Sequence, residues 1–368
     1  MNQRTRFIGL DVHKETIAVA IADEGQEPQS WGTIANDPNA VRKLARSLEG
    51  DGVKLVAAYE AGPTGFAVQR LLTSLRVQCQ VIAPSLVPRR PGDRIKTDKR
   101  DALMLARLLR SGDLTPIWIP DQEHEALRSL VRARADARVD QLRGRHRLSK
   151  FLLRQGIVPP VGIKAWTSKH QDWLSHLKLE QPADMVTLTY YRQVVETAGD
   201  HIRALEAELF KLAEQSSKLP LIAALQAMRG VGMLTAVTIV AEVGDMRRFK
   251  TARQFMAYTG LVPSEHSSGA SVQRGHITHT GNSLLRHVLG EAAHHARHTP
   301  RVGGVLKQRQ AGVPMDIVEL SWRAQQRLHF RYRHLSARLG RPKALTAVAR
   351  ELAGFVWEMG QRMEQAAA

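Results

Sequence analysis

Four acidic residues occupy positions where a folded chain seldom leaves a carboxylate without a partner. Asp11 interrupts the apolar segment FIGLDV, and Glu60 ends another, VKLVAAYE, directly before the glycine-rich AGPTG. Asp98 and Asp101 lie three residues apart at the start of an amphipathic segment, which places both carboxylates on one face of a helix. Acids that a fold draws together repel one another unless a cation lies between them. The pattern therefore predicts a site for divalent metal ions.

Such a site suits phosphoryl transfer, because two Mg²⁺ ions held by carboxylates can polarise a phosphodiester and activate the attacking group. Asp98 and Asp101 alone have a simpler interpretation as a helix start, with Asp98 as the N-cap and Asp101 favoured by the helix dipole. Asp11 and Glu60 have no such explanation, since an acid in or beside a core strand needs a partner. The four together favour a metal site.

A serine-rich segment is a second candidate for chemistry. Residues 263–282 read PSEHSSGASVQRGHITHTGN, contain few apolar residues and lie between two helical patterns. This predicts a loop or a pair of short turns. A serine hydroxyl can attack phosphorus when a nearby base or metal lowers its pKa. Composition alone favours an ordinary polar surface loop.

The charge of the chain points to a polyanionic partner. Lysine and arginine number 53 against 35 acids, which gives a formal charge of +18. Neutralised phosphates release counterions, so an excess of this size favours nucleic acid over a merely solubilising surface or a membrane surface. Arginines are densest from 128 to 147, which indicates either a nucleic-acid face or a solvated helix face. We favour nucleic acid, with contacts from Arg128, Arg132, Arg138 and Arg145.

Cysteine content and hydropathy bear on the compartment. The single cysteine, Cys79, excludes an internal disulfide and lies in an apolar-leaning run, so we expect a buried strand residue. No uninterrupted apolar run is long enough to span a bilayer. We expect a cytoplasmic protein without membrane association.

Strand and helix patterns alternate over residues 1–120. Two strands in 7–22 separated by a break at Val12–Lys14, and a third at 31–35, suggest consecutive antiparallel strands. A helix starting at Asp37-Pro38, a strand at 53–60, a helix at 66–75 and a strand in VQCQVIAP follow. This order predicts a mixed α/β domain and resembles RNase H-like nucleases and sugar kinases. The four acids would be positioned by this domain.

Helical periodicity dominates the rest of the chain. In 121–217 an apolar seam indicates a coiled coil, although packing in an intramolecular hairpin would explain it equally well; its residues are Ile202, Leu205, Leu209 and Leu212. Region 218–335 is predicted to be mainly helical, and 336–368 to be a helical tail. In the former, RGVG separates two helical runs. This pattern is typical of a helix-hairpin-helix, in which Gly230 and Gly232 would let backbone amides hold a phosphate, or of plain packing.

Three N-terminal blocks, GLDVHK, YEAGPTG and KTDKRDA, closely resemble in order and spacing the RuvC-like domain of DEDD-type insertion-sequence transposases of the IS-one-ten group. The DEDD set falls on Asp11, Glu60, Asp98 and Asp101. Three C-terminal blocks, RGVG, FKTARQFMAYTGLVPSEHSSG and ITHTGNSLLRHVL, also resemble that family's transposase domain. The resemblance covers roughly 5–110 and 220–300, with a helical segment between, as in the family.

The resemblance implies a composite active site, in which the four acids hold Mg²⁺ and approach a serine of the other domain. The family's serine stands in a Ser-Gly context that Ser268-Gly269 matches, with Ser267 and Ser271 as neighbouring candidates. Its attack would leave DNA covalently bound through phosphoserine. Lys14, Arg274 and Arg286 are candidates for neutralising phosphate charge, with solvated surface residues as the alternative.

The resemblance also implies partners. They are donor and target DNA, a structured non-coding bridge RNA, and further copies of the chain in a dimer or tetramer, in a bacterial, nucleoid-associated setting. Two alternatives stay open: a RuvC-like structure-specific endonuclease that hydrolyses DNA with the acids alone, and a nucleic-acid-binding module with a decayed catalytic domain. The intact set of four acids argues against the second.

Overall fold

A computed structural model describes residues 4–88, 97–268 and 271–366 and divides the chain into two compact units, Met1–Pro120 and Asp121–Ala368. The first is mixed α/β and the second is mainly helical. Within the described ranges, each helix is too short or too polar to cross a membrane. The predicted domain boundaries at 120, 217 and 335 stay predictions.

A five-stranded sheet in the order β3-β2-β1-β4-β5 forms the first unit. Its first three strands are antiparallel neighbours, and β1, β4 and β5 run parallel. The strands are β1 Arg4–Val12, β2 Thr16–Asp23, β3 Gln29–Ala35, β4 Val53–Glu60 and β5 Gln78–Ile82. The predicted strands and the mixed α/β class are therefore confirmed. Cys79 is buried in β5, as expected.

Helices flank this sheet: α1 Pro38–Leu48, α2 Ala67–Ser74 and α3 Asp98–Ser111. Asp37 caps α1 by accepting hydrogen bonds from the amides of Asn39 and Ala40, and Pro38 stands in the first turn, where its missing N–H is not needed. The buried residues of α1 are Val41, Leu44, Ala45 and Leu48, the face that the spacing predicts.

Small residues let α3 approach the sheet closely. A Cβ on Gly9 of β1 would lie 2.1 Å from the carbonyl oxygen of Ala102 and 2.5 Å from the amide nitrogen of Ala106. Alanines line the rest of this contact, including Ala18 and Ala20 of β2. Because only glycine leaves room for the α3 backbone here, Gly9 sets how closely α3 packs on β1 at Ala102 and Ala106.

A long helical hairpin opens the second unit, formed by α4 Gln122–Arg154 and α6 Pro182–Gln215 with the short α5 Ser168–His176 between them. Of the predicted seam, Ile202 and Leu209 are buried, and Leu209 packs in one cluster with Leu127 and Val131 of α4. Leu212 is 37% exposed. The seam thus packs within the chain, the second of the two predicted arrangements.

The remaining elements surround one hydrophobic core. They are α7 Leu219–Gln226, α8 Met233–Val243, α9 Ala252–Tyr258, β6 Pro263–Glu265, β7 Arg274–Ile277, α10 Ser283–Ala293, α11 Gly304–Gln310, α12 Met315–Leu339 and α13 Arg341–Ala366. Most of the predicted tail is α13, whose residues Val348, Leu352, Val356 and Met359 are at most 1% exposed. The tail is therefore helical but central, because its apolar face completes the core.

Candidate active site

Neighbouring parallel strands bring the first two acids to one edge of the sheet. In the register of β1 and β4, Leu10 pairs with Tyr59 as the last pair between these two strands, and Asp11 and Glu60 are the next residues of each. The Tyr59 hydroxyl donates to the Gly65 carbonyl at 3.0 Å and ties down the glycine-rich turn after Glu60. Strand pairing therefore positions Asp11 and Glu60 at this edge of the sheet, and the Tyr59 hydrogen bond holds the turn that follows Glu60.

The start of α3 brings the other two acids to the same edge. The Thr97 hydroxyl accepts a hydrogen bond from the Arg100 amide, so Thr97 is the N-cap of α3. The interpretation of Asp98 as the N-cap is therefore wrong, and its carboxylate is left for other partners. Both Asp98 and Asp101 act electrostatically on Asp11.

His13 joins this cluster although the sequence analysis did not single it out. Its Nε2 lies 3.2 Å from Oδ2 of Asp11 and 3.5 Å from Oδ1 of Asp98. One potential ligand atom from each of the three residues falls within 4.8 Å of the others. A signal existed in GLDVHK, since residues two apart in an extended segment point to the same side.

The electrostatics of the edge favour a bound cation. Burial is the largest cause of the raised pKa of Asp11; proximity to Asp101 and Asp98 raises it further, while His13 lowers it. The carboxylate is thus held where its charge is disfavoured unless positive charge is nearby. Carboxylate oxygens are the ligands that Mg²⁺ prefers, and an added imidazole suits Mn²⁺ and softer ions. The donor set fits a divalent metal.

Ser268 lies in the second unit, in the connection between the two strands of a short hairpin. Strands β6 and β7 pair Pro263 with Ile277 and Glu265 with Arg274, so the prediction of a loop or short turns is wrong for these two strands. The pairing is tertiary, and the polar sequence carries no alternating pattern that would reveal it. Farther along, Ser268 and Ser271 exchange backbone hydrogen bonds of 3.1 Å.

The hydroxyl groups of Ser267 and Ser268 differ in their surroundings. Ser268 is exposed, and among the described residues its Oγ makes no hydrogen bond. Ser267 donates to Oε1 of Glu265 at 2.9 Å, and Arg274 pairs with the same carboxylate at 3.3 Å. Gly269, part of the Ser-Gly match, lies outside the described residues. Ser268 is thus the less engaged of the two neighbouring serines.

Close backbone contacts hold the base of the hairpin. Gly260 and Gly281 both have positive φ, and a Cβ on either would lie 2.1 Å from a carbonyl oxygen, that of Thr280 or Tyr258 respectively. Arg286 donates to the Thr259 carbonyl at 3.0 Å. The segment before β6 and the segment after β7 are therefore locked together, which gives the hairpin a rigid base.

Two of the predicted nucleic-acid contacts pair with a buried acid. Arg132 makes a bidentate contact with Glu242 of α8 at 2.8 and 3.0 Å, and Arg128 lies 3.4 Å from the same carboxylate, which is 0% exposed. Burial alone would raise the pKa of Glu242, but Arg132, Arg128 and Asn282 together lower it. Nucleic-acid contact by Arg128 and Arg132 stays a prediction beside this internal role.

The other predicted contacts are scattered. Arg138 donates to Gln141 at 2.6 Å, and the Arg145 guanidinium lies 5.0 Å from the Trp166 ring centroid. Gly232 is the N-cap of α8, and Gly230, with φ of 90°, packs against the Ala292 carbonyl, so a packing role accounts for Gly230. Lys14 is almost fully exposed beside the acidic edge.

Comparisons with known proteins identify transposases as relatives of this chain. The DEDD transposase model of IS110 elements matches residues 8–156, and the Transposase IS116/IS110/IS902 family model matches residues 222–304. A putative transposase, y4qE, of Sinorhizobium fredii is 41% identical over 366 residues, covering 98% of this chain and 90% of the relative. The transposase for insertion sequence element IS1533 of Leptospira borgpetersenii is 32% identical, covering 90% and 97%. The chain therefore belongs to the DEDD-type IS110 family of insertion-sequence transposases.

Proposed function

We propose that this protein is the transposase of an insertion sequence and that it cuts and rejoins DNA with a serine nucleophile assisted by metal-holding acids. The observation that carries the proposal is the convergence of Asp11, His13 and Asp98, whose ligand atoms lie within 4.8 Å of one another at the end of β1, while Glu60 ends the neighbouring strand β4. Family membership adds DNA as the substrate. The acids would hold the cations that offset the negative charge of the phosphodiester, and Ser268 would supply the attacking oxygen.

Asp11, Glu60, Asp98 and Asp101 would hold Mg²⁺, in a two-metal arrangement, which when bound supplies charge stabilisation for a phosphodiester under attack. The disfavoured negative charge of Asp11 is the physical reason to expect a cation there. The chain itself contributes the rigid geometry: strand register sets Asp11 beside Glu60, and Gly9 sets the depth of α3.

In the serine step, the Oγ–P bond that forms replaces the P–O bond to one sugar. Ser268 loses its hydroxyl proton, and the departing sugar oxygen takes up a proton. The phosphodiester bond is conserved as a phosphoserine ester, so a sugar hydroxyl of another strand can reverse the step and rejoin the DNA. An exposed Oγ without an internal hydrogen bond in the described residues suits a group that must meet a large substrate.

Guidance by a bridge RNA and assembly as a dimer or tetramer are proposed from family resemblance. Because Arg128 and Arg132 pair with Glu242, we place RNA contact farther along α4, where Arg143 and Arg147 are exposed. Arginine suits this role because its planar guanidinium can donate two hydrogen bonds to one phosphate and can stack on bases.

A denaturing gel with end-labelled DNA of an element junction tests the proposal. The wild-type protein is expected to give a covalent protein–DNA band with Mg²⁺, and Ser268→Ala is expected to abolish it. Ser267→Ala is the matched control and should retain the band, because its hydroxyl is bound to Glu265. Cleavage that survives Ser268→Ala with no covalent band would instead establish the hydrolytic endonuclease.

A further inference from the structure

A cleft of about 560 Å³ opens in the second unit beside the base of the serine hairpin. Its walls come from α10, the 3₁₀ turn at His294–Arg297, Tyr332 of α12 and the first turns of α13, together with Ile277 of β7 and Leu261. All of these belong to the second unit, so the cleft is a property of that unit alone.

The polar lining of the cleft is strongly basic. It includes one acid, Glu291, and five basic side chains: Arg286, His287, His294, Arg297 and Arg341. Across the described part of the chain, none of these five forms an ion pair with a carboxylate. Arg286 and Arg297 each donate to a backbone carbonyl, at 3.0 and 3.1 Å, which fixes their positions without neutralising their charge.

Several arginines near the cleft, on α12, are paired with acids. On α12, Arg323 pairs with Glu358 at 2.6 Å, and Arg327 and Arg331 pair with Glu351 at 2.6 and 3.2 Å. The partners are on α13, the same helix that begins at Arg341 of the cleft. Three arginines of α12 are thus matched by acids of α13, whereas Arg341, at the start of α13, has no carboxylate partner among the described residues.

Gly290 gives the cleft its room. It lies inside α10, where glycine weakens a helix relative to alanine, and an added Cβ would meet nothing within 4 Å. Packing inside the protein therefore does not account for this glycine. A ligand that lies against the α10 backbone does account for it, since a side chain at 290 would fill part of the cleft.

The cleft and Ser268 are connected through the β6–β7 hairpin. Ile277 of the cleft pairs with Pro263, and Ser268 is five residues farther along that side of the hairpin. At about 3.3 Å per residue, the Cα atoms of Pro263 and Ser268 are at most about 17 Å apart. A nucleic-acid strand rises about 3.4 Å per nucleotide, so about five nucleotides would span this distance.

We propose that this cleft binds the phosphodiester backbone of the DNA duplex whose strand is attacked by Ser268, with Arg297 and Arg341 neutralising two of its phosphates. The inference rests on the proposed function, because it takes DNA as the substrate. It adds a binding site that sets where along the strand the serine acts. The basic lining selects the phosphates, and Gly290 admits them to the helix surface.

Binding of a short fluorescein-labelled DNA duplex, followed by anisotropy over a range of KCl concentrations, tests the cleft. The variant carries Arg297→Gln and Arg341→Gln in the Ser268→Ala protein, so that no covalent product forms. Each phosphate contact contributes about 0.9 to the slope of log affinity against log salt. We expect weaker binding and a slope smaller by about 2 for the two lost contacts.

A double variant with Arg323→Gln and Arg327→Gln is the matched control. It removes the same charge from the same unit, and Glu358 and Glu351 each keep a second arginine partner, Arg362 and Arg331. It should retain the slope of the parent protein. Gly290→Met, which fills the cleft without changing charge, should weaken DNA binding while circular dichroism and the melting temperature show a folded protein.

Three outcomes would refute DNA binding at the cleft. They are a parental slope in the Arg297/Arg341 variant, an equal loss in the control, or a loss confined to an RNA duplex of the same sequence. None of these affects the covalent band, whose dependence on Ser268 is measured separately. Conversely, a wild-type protein that forms no covalent band but binds DNA through the cleft would refute the nucleophile and leave the cleft standing.

Discussion

The Nε2 atom of His13 lies 3.2 Å from Oδ2 of Asp11, so an imidazole contacts the acid most affected by burial in the cluster. The backbone around His13 is fixed on both sides: its amide donates to the Thr16 carbonyl at 2.8 Å, and its carbonyl accepts from Asn36 at 2.6 Å. A ring held in this way is available as a nitrogen ligand among carboxylates.

His13→Ala is expected to weaken Mn²⁺ binding more than Mg²⁺ binding, since an imidazole nitrogen favours Mn²⁺ over the harder ion. Loss of a ligand or of its supporting contact typically lowers metal affinity about 10–100-fold. Electron paramagnetic resonance of free Mn²⁺ measures the affinity directly. His201→Ala, at an exposed position of α6, is the control and should bind Mn²⁺ as the wild type does. Equal affinities in the two variants would exclude His13 as a ligand.

Asp11→Asn should abolish strand cleavage and leave most DNA binding intact. It should also raise the melting temperature without metal. The folded-state pKa of Asp11 is raised, so its ionised form is disfavoured by folding, and its favourable contribution is lost as pH rises through that pKa. At neutral pH asparagine removes this penalty. Added Mg²⁺ should stabilise the wild type and not the variant; an equal shift in both would contradict metal binding at Asp11.

Glu242→Gln should strongly destabilise the second unit, because it leaves Arg128 and Arg132 without their buried partner. Breaking a buried ion pair costs about 3–5 kcal/mol. Because Arg132 is half-exposed, we expect the free energy of unfolding to fall by about 3 kcal/mol. Urea unfolding measures it, with Glu208→Gln, an exposed pair with Lys211, as a near-neutral control. Since the pKa of Glu242 is lowered, its contribution should disappear as pH falls below the ordinary glutamate value.

Sequence patterns predicted the first unit well because its strands and helices alternate with clear apolar periodicity. They located Asp11 by a simple argument: an acid in an apolar run needs a partner. The same argument applied to Glu242 in MLTAVTIVAEV would have found the arginine pair on α4, and the arginines were instead assigned to nucleic acid. Here the charge density suggested an outside partner, whereas the buried carboxylate supplied an internal one.

Other features had no local signal. The β6–β7 hairpin depends on a base built by Gly260 and Gly281, whose contacts join residues about twenty positions apart. The central place of α13 follows from how much apolar surface the preceding helices leave uncovered, which periodicity does not report. His13 was missed because an exposed histidine after a strand is ordinary until Asp98 of α3 is placed beside it.

Gly9→Ala tests whether the depth of α3 sets the active site. The new methyl group would lie 2.1 Å from the Ala102 carbonyl oxygen, in backbone that cannot move without shifting the helix. We expect α3 to be displaced, so that Asp98 and Asp101 lose their positions beside Asp11. Mn²⁺ affinity should fall and the first unit should become less stable by about 1–3 kcal/mol.

Gly290→Ala is the informative comparison, because the same substitution in the open interior of α10 should raise stability by about 0.5–1 kcal/mol. Chemical denaturation and Mn²⁺ titration of both variants separate the two effects. If Gly9→Ala bound Mn²⁺ with wild-type affinity, the close approach of α3 to β1 would not be what positions Asp98 and Asp101. The metal site would then depend on strand register alone, through Asp11 and Glu60.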